Sequence, residues 1–239
     1  MNLVADLLIV FAVATLVWAA AVAFQRLPVF PLREVIVVSE PDQVTRAQLE
    51  QAARTAIAGN FFTVDLDGVR NTFEKLPWVR RADVRRRWPD SLELAFEEHA
   101  AVARWRRGDG GSGQESRLVN KYGEVFAAAS TVALPAFVGP EGTAPLLLAR
   151  YQEFEQVLAP LGRHPETLVL SRREAWQVKL DDGLVLELGR DEAKHPLLAR
   201  LERFVGNYRA AIEKTHLAGL GVVDMRYPNG FALRVAKKS

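Results

Sequence analysis

The residues needed for acid–base, nucleophilic or metal chemistry are few in this chain and do not cluster. The chain contains no cysteine and four histidines, which are His99, His164, His195 and His216. No two histidines have the i, i+4 spacing that places both imidazoles on one helix face, and a zinc site needs several converging nitrogen or sulfur ligands. We therefore expect no catalytic residue, no metal site and no cofactor, and we interpret each histidine as a surface or boundary residue.

Two other kinds of segment invite a ligand-binding interpretation that their surroundings do not support. Residues 108–113 are glycine-rich, but they lack the Lys-Ser/Thr pair and the following helix that a phosphate-binding loop requires. Asp65 and Asp67 fit helix capping, and residues 181–183 fit a hairpin turn. We therefore predict a flexible loop, a helix cap and a turn at these positions.

The densest charge on the chain is a group of arginines just before Trp88. This arginine group comprises Arg80, Arg81, Arg85, Arg86 and Arg87. One interpretation is a surface for an anionic partner, either lipid headgroups or an acidic peptide. The other, which we favour, is a solvated strand face on which Glu93 and Glu97 of the next strand lie opposite arginines. The net charge of the whole chain is only +2, which argues against a nucleic-acid partner.

The N-terminal segment is the most apolar part of the chain. Residues 7–24 contain no charged residue, and a bilayer core needs about 20 apolar residues in a helix. We predict a retained membrane-spanning helix over residues 7–26, after a short cytoplasmic remnant at 1–6. The alternative is a secretory signal cleaved after residues 21–23, but the apolar run is long for such a signal and no basic segment precedes it.

Residues 30–99 have the pattern of a small α+β unit. Thr45 and Gln48 have the spacing of a capping box, which predicts the start of a helix, and Pro77 stops a second amphipathic helix. The predicted order is strand, helix, helix, strand, strand, at residues 35–38, 45–58, 67–76, 79–88 and 92–98.

From residue 100 onwards the pattern changes to short strands separated by turns. We predict strands that pair as sequential hairpins, with two flanking helices at 145–161 and 191–216. The predicted strands before the last helix are 101–105, 117–120, 125–126, 167–171, 175–180 and 184–188.

The chain is predicted to end on a β-hairpin. Asp224–Tyr227 form its inner strand, Pro228-Asn229-Gly230 its turn and Phe231–Val235 its outer strand. Because only residues 236–239 follow, we expect the outer strand to be uncovered. Such an edge offers unpaired backbone N–H and C=O groups to another chain.

Several short motifs, each weak alone, form an ordered series along the chain. Segments 76–79 and 84–92 are similar to the end of a POTRA domain. Later motifs lie at 98–105, 118–126, 134–142, 172–178, 188–190 and 224–230. In this order the series resembles the FtsQ/DivIB family of bacterial cell-division proteins, from the apolar span to Val235.

The resemblance implies an α+β fold with a single N-terminal transmembrane helix. A POTRA domain of β-α-α-β-β order would occupy 30–99. A mostly antiparallel β domain with flanking helices would occupy 100–236, before a tail at 237–239.

The resemblance also implies a single-pass protein of the bacterial inner membrane at the division septum, with a cytoplasmic N-terminus and periplasmic domains. Arg26 and Arg33 alone would favour the opposite orientation, but a large folded region crosses the membrane largely regardless of charge.

The resemblance also implies the partners. Members of the family are non-enzymatic divisome scaffolds that bind the FtsB–FtsL pair and connect it to the septal wall synthases. In the family a strand of FtsB adds to the last strand of the β domain. Carried over by motif, the site residues are Arg172, Arg226, Tyr227, Asn229, Gly230, Phe231, Leu233 and Val235. The two arginines are expected to pair with acidic groups of the partner.

Two departures from the family pattern affect these expectations. Val235 stands where the family often has Trp, and residues 108–113 look like a local insertion. The arginine group remains a candidate surface for other division proteins or for lipid.

The alternative functions are a POTRA-containing periplasmic chaperone or secretion component, and a membrane-tethered hydrolase. The former usually has repeated POTRA units or a long barrel, and the latter needs converging catalytic residues.

Overall fold

The chain forms two compact units, which we call unit 1 (Met1–His99) and unit 2 (Ala100–Ser239). The computed structural model describes residues 3–25, 30–108, 116–212, 221–227 and 230–235. Four sequence predictions lie outside the described residues: the glycine-rich loop at 109–113, the helix end near His216, the turn at Pro228 and Asn229, and the tail at 237–239.

The first element of unit 1 is a long apolar helix, α1 (Leu3–Gln25). Its 23 residues are enough to cross a hydrocarbon core of about 30 Å at about 1.5 Å per residue. The segment Asp6–Phe24 is apolar apart from Asp6 and Thr15, and none of it is buried against the described protein. This helix fits a single-pass membrane protein.

The remainder of unit 1 has the predicted order of strand, helix, helix, strand, strand. Its elements are β1 (Glu34–Val37), α2 (Arg46–Ala56), α3 (Leu66–Phe73), β2 (Val79–Arg87) and β3 (Ser91–Glu98). The sheet order is β1-β3-β2, with β1 parallel and β2 antiparallel to β3. Phe73, Leu92 and Leu94 are almost completely buried and form the centre of its core.

Local signals explain where the helices of unit 1 begin. Thr45 caps α2 as predicted, because its hydroxyl accepts from the Gln48 N–H while the Gln48 side chain accepts from the Thr45 N–H. Asp65 caps α3 through the Asp67 N–H. Both helices end earlier than predicted, at Ala56 and Phe73, because extended or turn conformations follow them.

Unit 2 is built on one large sheet. Its strands are β4 (Ala101–Arg107), β5 (Arg117–Asn120), β6 (Val125–Ala127), β7 (Ala136–Gly139), β8 (Pro165–Leu170), β9 (Ala175–Leu180), β10 (Val185–Arg190), β11 (Gly221–Asp224) and β12 (Ala232–Val235). The order across the sheet is β12-β11-β10-β9-β8-β7-β4-β5-β6. The helices are α4 (Ala144–Leu158), extended by a 3-10 turn at Ala159–Leu161, and α5 (Leu197–Ile212).

The prediction of sequential hairpins throughout unit 2 is wrong. Most neighbouring strands are antiparallel, as predicted, but the pairs β4–β7, β7–β8 and β10–β11 are parallel. Parallel neighbours need a crossover connection. The helices supply two of them, since α4 connects β7 to β8 and α5 connects β10 to β11. β7 itself was not predicted, because its four residues between two prolines are too few to show a period.

The start of α5 also differs from the prediction. The helix begins at Leu197 instead of Asp191. Pro196 disfavours a helical conformation at the residue before it, and the Arg200 N–H donates to the Pro196 carbonyl in the first turn. Both helices pack on the core of unit 2, where Phe137, Phe154 and Phe204 are completely buried.

Candidate functional site at the C-terminal sheet edge

Strand β12 lies at one edge of the large sheet. It pairs antiparallel with β11, from Asp224 opposite Ala232 to Gly221 opposite Val235. Within the described part of the chain, β12 has a neighbouring strand on this side only. Its outer side therefore presents the backbone donors and acceptors of an edge strand.

The connection between β11 and β12 is longer than the predicted turn. β11 ends at Asp224 instead of Tyr227, and β12 begins at Ala232. The Met225 N–H still donates to the Glu187 carbonyl of β10, which continues the parallel ladder between β10 and β11. The chain leaves the sheet at the next residue, because the Arg226 N–H donates to the Asp224 carboxylate. Side-chain chemistry at Asp224 thus decides where this strand ends.

A network of charged side chains joins the connection to both of its strands. Asp224 is completely buried, and its carboxylate accepts from Arg226 at 2.8 Å (Nε–Oδ1) and 2.6 Å (Nη2–Oδ2). Arg234 of β12 donates to the same carboxylate at 2.9 Å. Glu187 of β10 lies 3.5 Å from Arg226. We call Asp224, Arg226 and Arg234 the aspartate clasp, because one carboxylate holds β11, the connection and β12 together.

The clasp fixes the ionisation of Asp224. Hydrogen bonds from the Arg226 guanidinium hold the pKa of Asp224 below its ordinary value, although burial acts in the opposite direction. The charges of Arg226 and Arg234 lower this pKa further. Asp224 is therefore a carboxylate at neutral pH and keeps both arginines bound.

A glycine makes room for the clasp. Gly189 has a φ of +78°, and a Cβ built on it would lie 2.9 Å from Cγ of Arg226. The buried Arg200 donates to the carbonyls of Leu188 and Arg190, on either side of this glycine, and its Nη1 would lie 3.4 Å from the same added Cβ. Both arginines thus crowd the position of a Cβ at residue 189, and only a residue without a side chain fits there.

We expect Gly189→Ala to lower the free energy of unfolding of unit 2 by about 1–2 kcal/mol, because alanine is strained at positive φ and displaces Arg226. The matched control is Gly206→Ala in α5, where an added Cβ meets no atom within 4 Å. Urea unfolding of the full-length chain in detergent measures both variants. Equal stability of the two variants would contradict the role given to Gly189.

The predicted edge residues differ in their exposure and in their position relative to β12. Tyr227 is 53% exposed. Phe231 lies just before β12, and its ring packs edge-on against Phe204 at 5.7 Å. Leu233 is half-buried in β12, while only the backbone of Val235 is described, opposite Gly221. Gly230 is half-buried, and Asn229 lies outside the described residues.

Arg172 and Arg226 lie at the same end of the sheet. Arg172 is exposed in the turn between β8 and β9, and the adjacent Arg173 carbonyl accepts from Arg190 at 2.8 Å. Arg190 follows Gly189, over which Arg226 lies. Arg172 also lines a groove of about 420 Å³ at the ends of β4, β7 and β8. In this chain Arg226 pairs with its own Asp224, and its binding to a partner's acidic groups stays a prediction.

The members of the arginine group of unit 1 make different contacts. Arg80 pairs with Glu97 at 3.0 Å and Arg85 with Asp83 at 2.6 Å. In the register of β2 and β3, Arg81 is opposite Glu97 and Arg85 is opposite Glu93, as the solvated-face interpretation expects. Arg81 and Arg87 are exposed and have no carboxylate within salt-bridge distance among the described residues.

Arg86 has a structural role that the sequence did not reveal. Its Nε donates to the Phe61 carbonyl at 2.7 Å, and its Nη2 donates to Val64 at 2.9 Å and Phe62 at 3.3 Å. This one guanidinium therefore holds the loop before α3 against the end of β2.

We expect Arg86→Ala to lower the free energy of unfolding of unit 1 by about 1–2 kcal/mol, because three carbonyls lose a charged donor. Arg86→Lys should recover only part of this loss, since one ammonium cannot reproduce the guanidinium fork. Arg87→Ala is the control and should change stability by less than about 0.5 kcal/mol. The same urea-unfolding assay measures all three, and an equal loss at positions 86 and 87 would refute the assignment.

Sequence reasoning missed most of the clasp. Asp224 was assigned only to a strand, and Glu187, Arg200 and Arg234 were not singled out. The Asp-x-Arg spacing of 224 and 226 was the available signal, since an Asx-type turn joins residues two apart. Across the part of the chain that the structure describes, no group of His, Asp or Glu is arranged to hold a metal ion.

Two family models match the two units. The model for "Cell division protein FtsQ/DivIB, C-terminal" matches residues 103–226, and the model for "POTRA domain, FtsQ-type" matches residues 30–99. Tyr227 and β12 thus directly follow the matched region of unit 2.

Curated relatives match almost the whole chain. A cell division protein FtsQ from Bordetella pertussis is 38% identical, over 98% of this chain and 90% of the relative. The proteins of the same name from Nitrosospira multiformis and Burkholderia pseudomallei are 39% and 38% identical. These two alignments cover 98% and 99% of this chain, and 96% and 92% of the respective relatives.

Proposed function

Since the chain belongs to the FtsQ/DivIB family of cell-division proteins, we propose that it is a non-enzymatic scaffold of the divisome that binds the FtsB–FtsL pair through β12. In this role it connects early division proteins to the septal wall synthases. The partner segment is a strand of FtsB that pairs with the outer side of β12.

The observation that carries this proposal is the open side of β12 at the end of the strand order. A strand added there gains backbone hydrogen bonds, which supply affinity, while alternate side chains supply specificity. The aspartate clasp supports the proposal because it fixes β12 on β11 before a partner arrives, so that less conformational entropy is lost on binding.

The charges at this end of the sheet favour an acidic partner segment. Arg226 and Arg234 are each more than half exposed although both contact Asp224, and Arg172 is exposed at the same end. Carboxylates next to the added strand would therefore meet guanidinium groups, which bind them with two parallel hydrogen bonds.

The proposed topology follows from α1 and the family. We propose that α1 anchors the chain in the inner membrane, with the N-terminus in the cytoplasm and both units in the periplasm at the septum. We assign residues 7–26 to the span, 30–99 to the POTRA domain and 100–236 to the β domain.

Photo-crosslinking in cells tests the site. A photoreactive residue at position 227 should crosslink to FtsB, whereas one at position 122, another exposed tyrosine of unit 2 located between β5 and β6, should not. A third probe at Arg87 reports on partners of unit 1. Crosslinks to FtsB from position 122 or 87 but not from 227 would contradict the proposed site.

A further inference from the structure

Unit 1 carries a cluster of aromatic rings at one end of its sheet. We call Phe30, Phe61, Phe62 and Trp88 the aromatic tip. Phe30 contacts Phe62 at 5.1 Å and Trp88 at 6.4 Å, and Phe61 contacts Trp88 at 5.6 Å, measured between ring centroids. The rings come from three separate segments: the approach to β1, the loop before α3 and the turn between β2 and β3.

Part of this tip is left uncovered by the protein. Trp88 is 67% exposed and Phe62 is 38% exposed, whereas Phe61 is almost completely buried. A tryptophan in the turn between two strands contributes little to the core of unit 1. Clustered exposed apolar side chains mark a surface that contacts something other than water.

The tip lies beside the end of the membrane-spanning helix. Phe24 is the penultimate residue of α1, and its ring contacts Phe30 at 5.7 Å. Trp88 is thus only one further ring contact from the end of the span. The headgroup layer on each side of a bilayer is about 5–8 Å thick, so the tip lies within reach of it. Tryptophan is enriched in this layer because its ring is both apolar and polar.

The charges around the tip complement phospholipid headgroups. Arg87, next to Trp88, is exposed and has no carboxylate within salt-bridge distance in the described structure. The Arg33 side chain is 74% exposed, and its one ion-pair contact with a described residue is a long one of 3.7 Å to Asp90. Cationic side chains beside interfacial aromatic rings are positioned to meet lipid phosphates.

We propose that the aromatic tip is seated in the headgroup layer of the bilayer that α1 spans, with Trp88 as its anchor. Unit 1 is then held to the membrane at two places, α1 and the turn between β2 and β3, which restricts how far it tilts away from the bilayer. Arg86 shapes this surface by holding the carbonyls of Phe61, Phe62 and Val64. This inference concerns a surface separate from β12.

The test uses the full-length chain in phospholipid nanodiscs without any division partner. Because the chain has no cysteine, a single spin label can be attached at Phe62→Cys while Trp88 is kept. The control label is at Val38→Cys, which is 58% exposed just beyond the opposite end of β1. We expect the label at position 62 to be several-fold less accessible than the control to a water-soluble nickel chelate, and more accessible to oxygen.

Substitutions at Trp88 distinguish shielding by the aromatic tip from shielding that α1 alone would cause. In the position-62 background, Trp88→Ala should restore nickel access, while Trp88→Tyr should preserve the shielding, because tyrosine also favours the interface. Circular dichroism confirms that each variant is folded. Nickel access at position 62 equal to that at position 38 would overturn the proposal. The aromatic tip would then be a surface for a protein partner instead of lipid. Shielding unchanged by Trp88→Ala would also overturn it, since α1 alone would then hold unit 1 near the membrane.

Discussion

Tyr227→Ala is expected to weaken binding of the FtsB–FtsL pair by more than about 1 kcal/mol, or about five-fold in Kd, because exposed aromatic side chains at the centre of an interface are frequent hot spots. The Tyr227 side chain is 53% exposed and lies in the connection that leads into β12. The loss of its contact area should not alter the fold of unit 2. Titration of full-length protein in nanodiscs with the purified pair measures the affinity.

The matched control is Tyr122→Ala, which removes a tyrosine of similar exposure between β5 and β6, toward the other edge of the same sheet. It should leave the affinity unchanged. Phe231→Ala is also expected to weaken binding, but it is a poorer test because its ring packs on Phe204, so this variant also loses stability. If Tyr227→Ala binds as tightly as Tyr122→Ala, the edge of β12 is not the site.

Asp224→Asn is expected to lower the free energy of unfolding of unit 2 by about 2 kcal/mol at neutral pH, because a buried carboxylate that accepts charged hydrogen bonds from two arginines is replaced by a neutral amide. It should also increase hydrogen exchange at the β12 amides, since Arg234 loses its link to β11. Affinity for the FtsB–FtsL pair should fall as a consequence, because β12 would no longer be fixed in advance.

The stability loss caused by Asp224→Asn depends on pH, and the pKa of Asp224 fixes the direction. The pKa of Asp224 is lowered in the folded chain, so the stability that it contributes is fully present above its unfolded pKa of about 3.9. That contribution is lost as the pH falls through the lower, folded pKa. The stability difference between the native chain and Asp224→Asn should therefore be constant from pH 7 to about pH 5 and shrink below about pH 4.

Glu202→Gln provides the control for this pH series. Glu202 is exposed on α5 and has no ion-pair partner among the residues that the structure describes. Its replacement should change stability by less than about 0.5 kcal/mol at neutral pH. A stability difference for Asp224→Asn that persists undiminished at the lowest pH would show that the carboxylate charge is not what the clasp requires.

Unit 1 was predictable because its signals are local. The capping box at Thr45 needs only residues three apart, and the apolar alternation of β3 needs only its own residues. The apolar run of α1 is equally visible without any tertiary contact. In each case the residues that decide the element lie within the element.

Unit 2 was less predictable because its pairing depends on distant residues. β7 shows no period of its own, and its place between β4 and β8 is set by apolar side chains on both neighbours. Two of the parallel pairs, β7–β8 and β10–β11, are connected by the predicted helices. β4 and β7 become neighbours across β5 and β6, and no local pattern in the sequence indicates that pairing. Sequence patterns therefore predicted the strands better than their order.

The sequence by itself determined an apolar span, an α+β unit, a β-rich unit and an edge strand near the C-terminus, because these follow from composition, periodicity and motif order. Only the tertiary structure decided what holds that edge strand. Asp224 and Arg234 are ten residues apart and meet because β11 and β12 pair, and Gly189 admits Arg226 because β10 lies beside β11. The pairing of this buried carboxylate with Arg234 comes from the fold, and no local pattern encodes it.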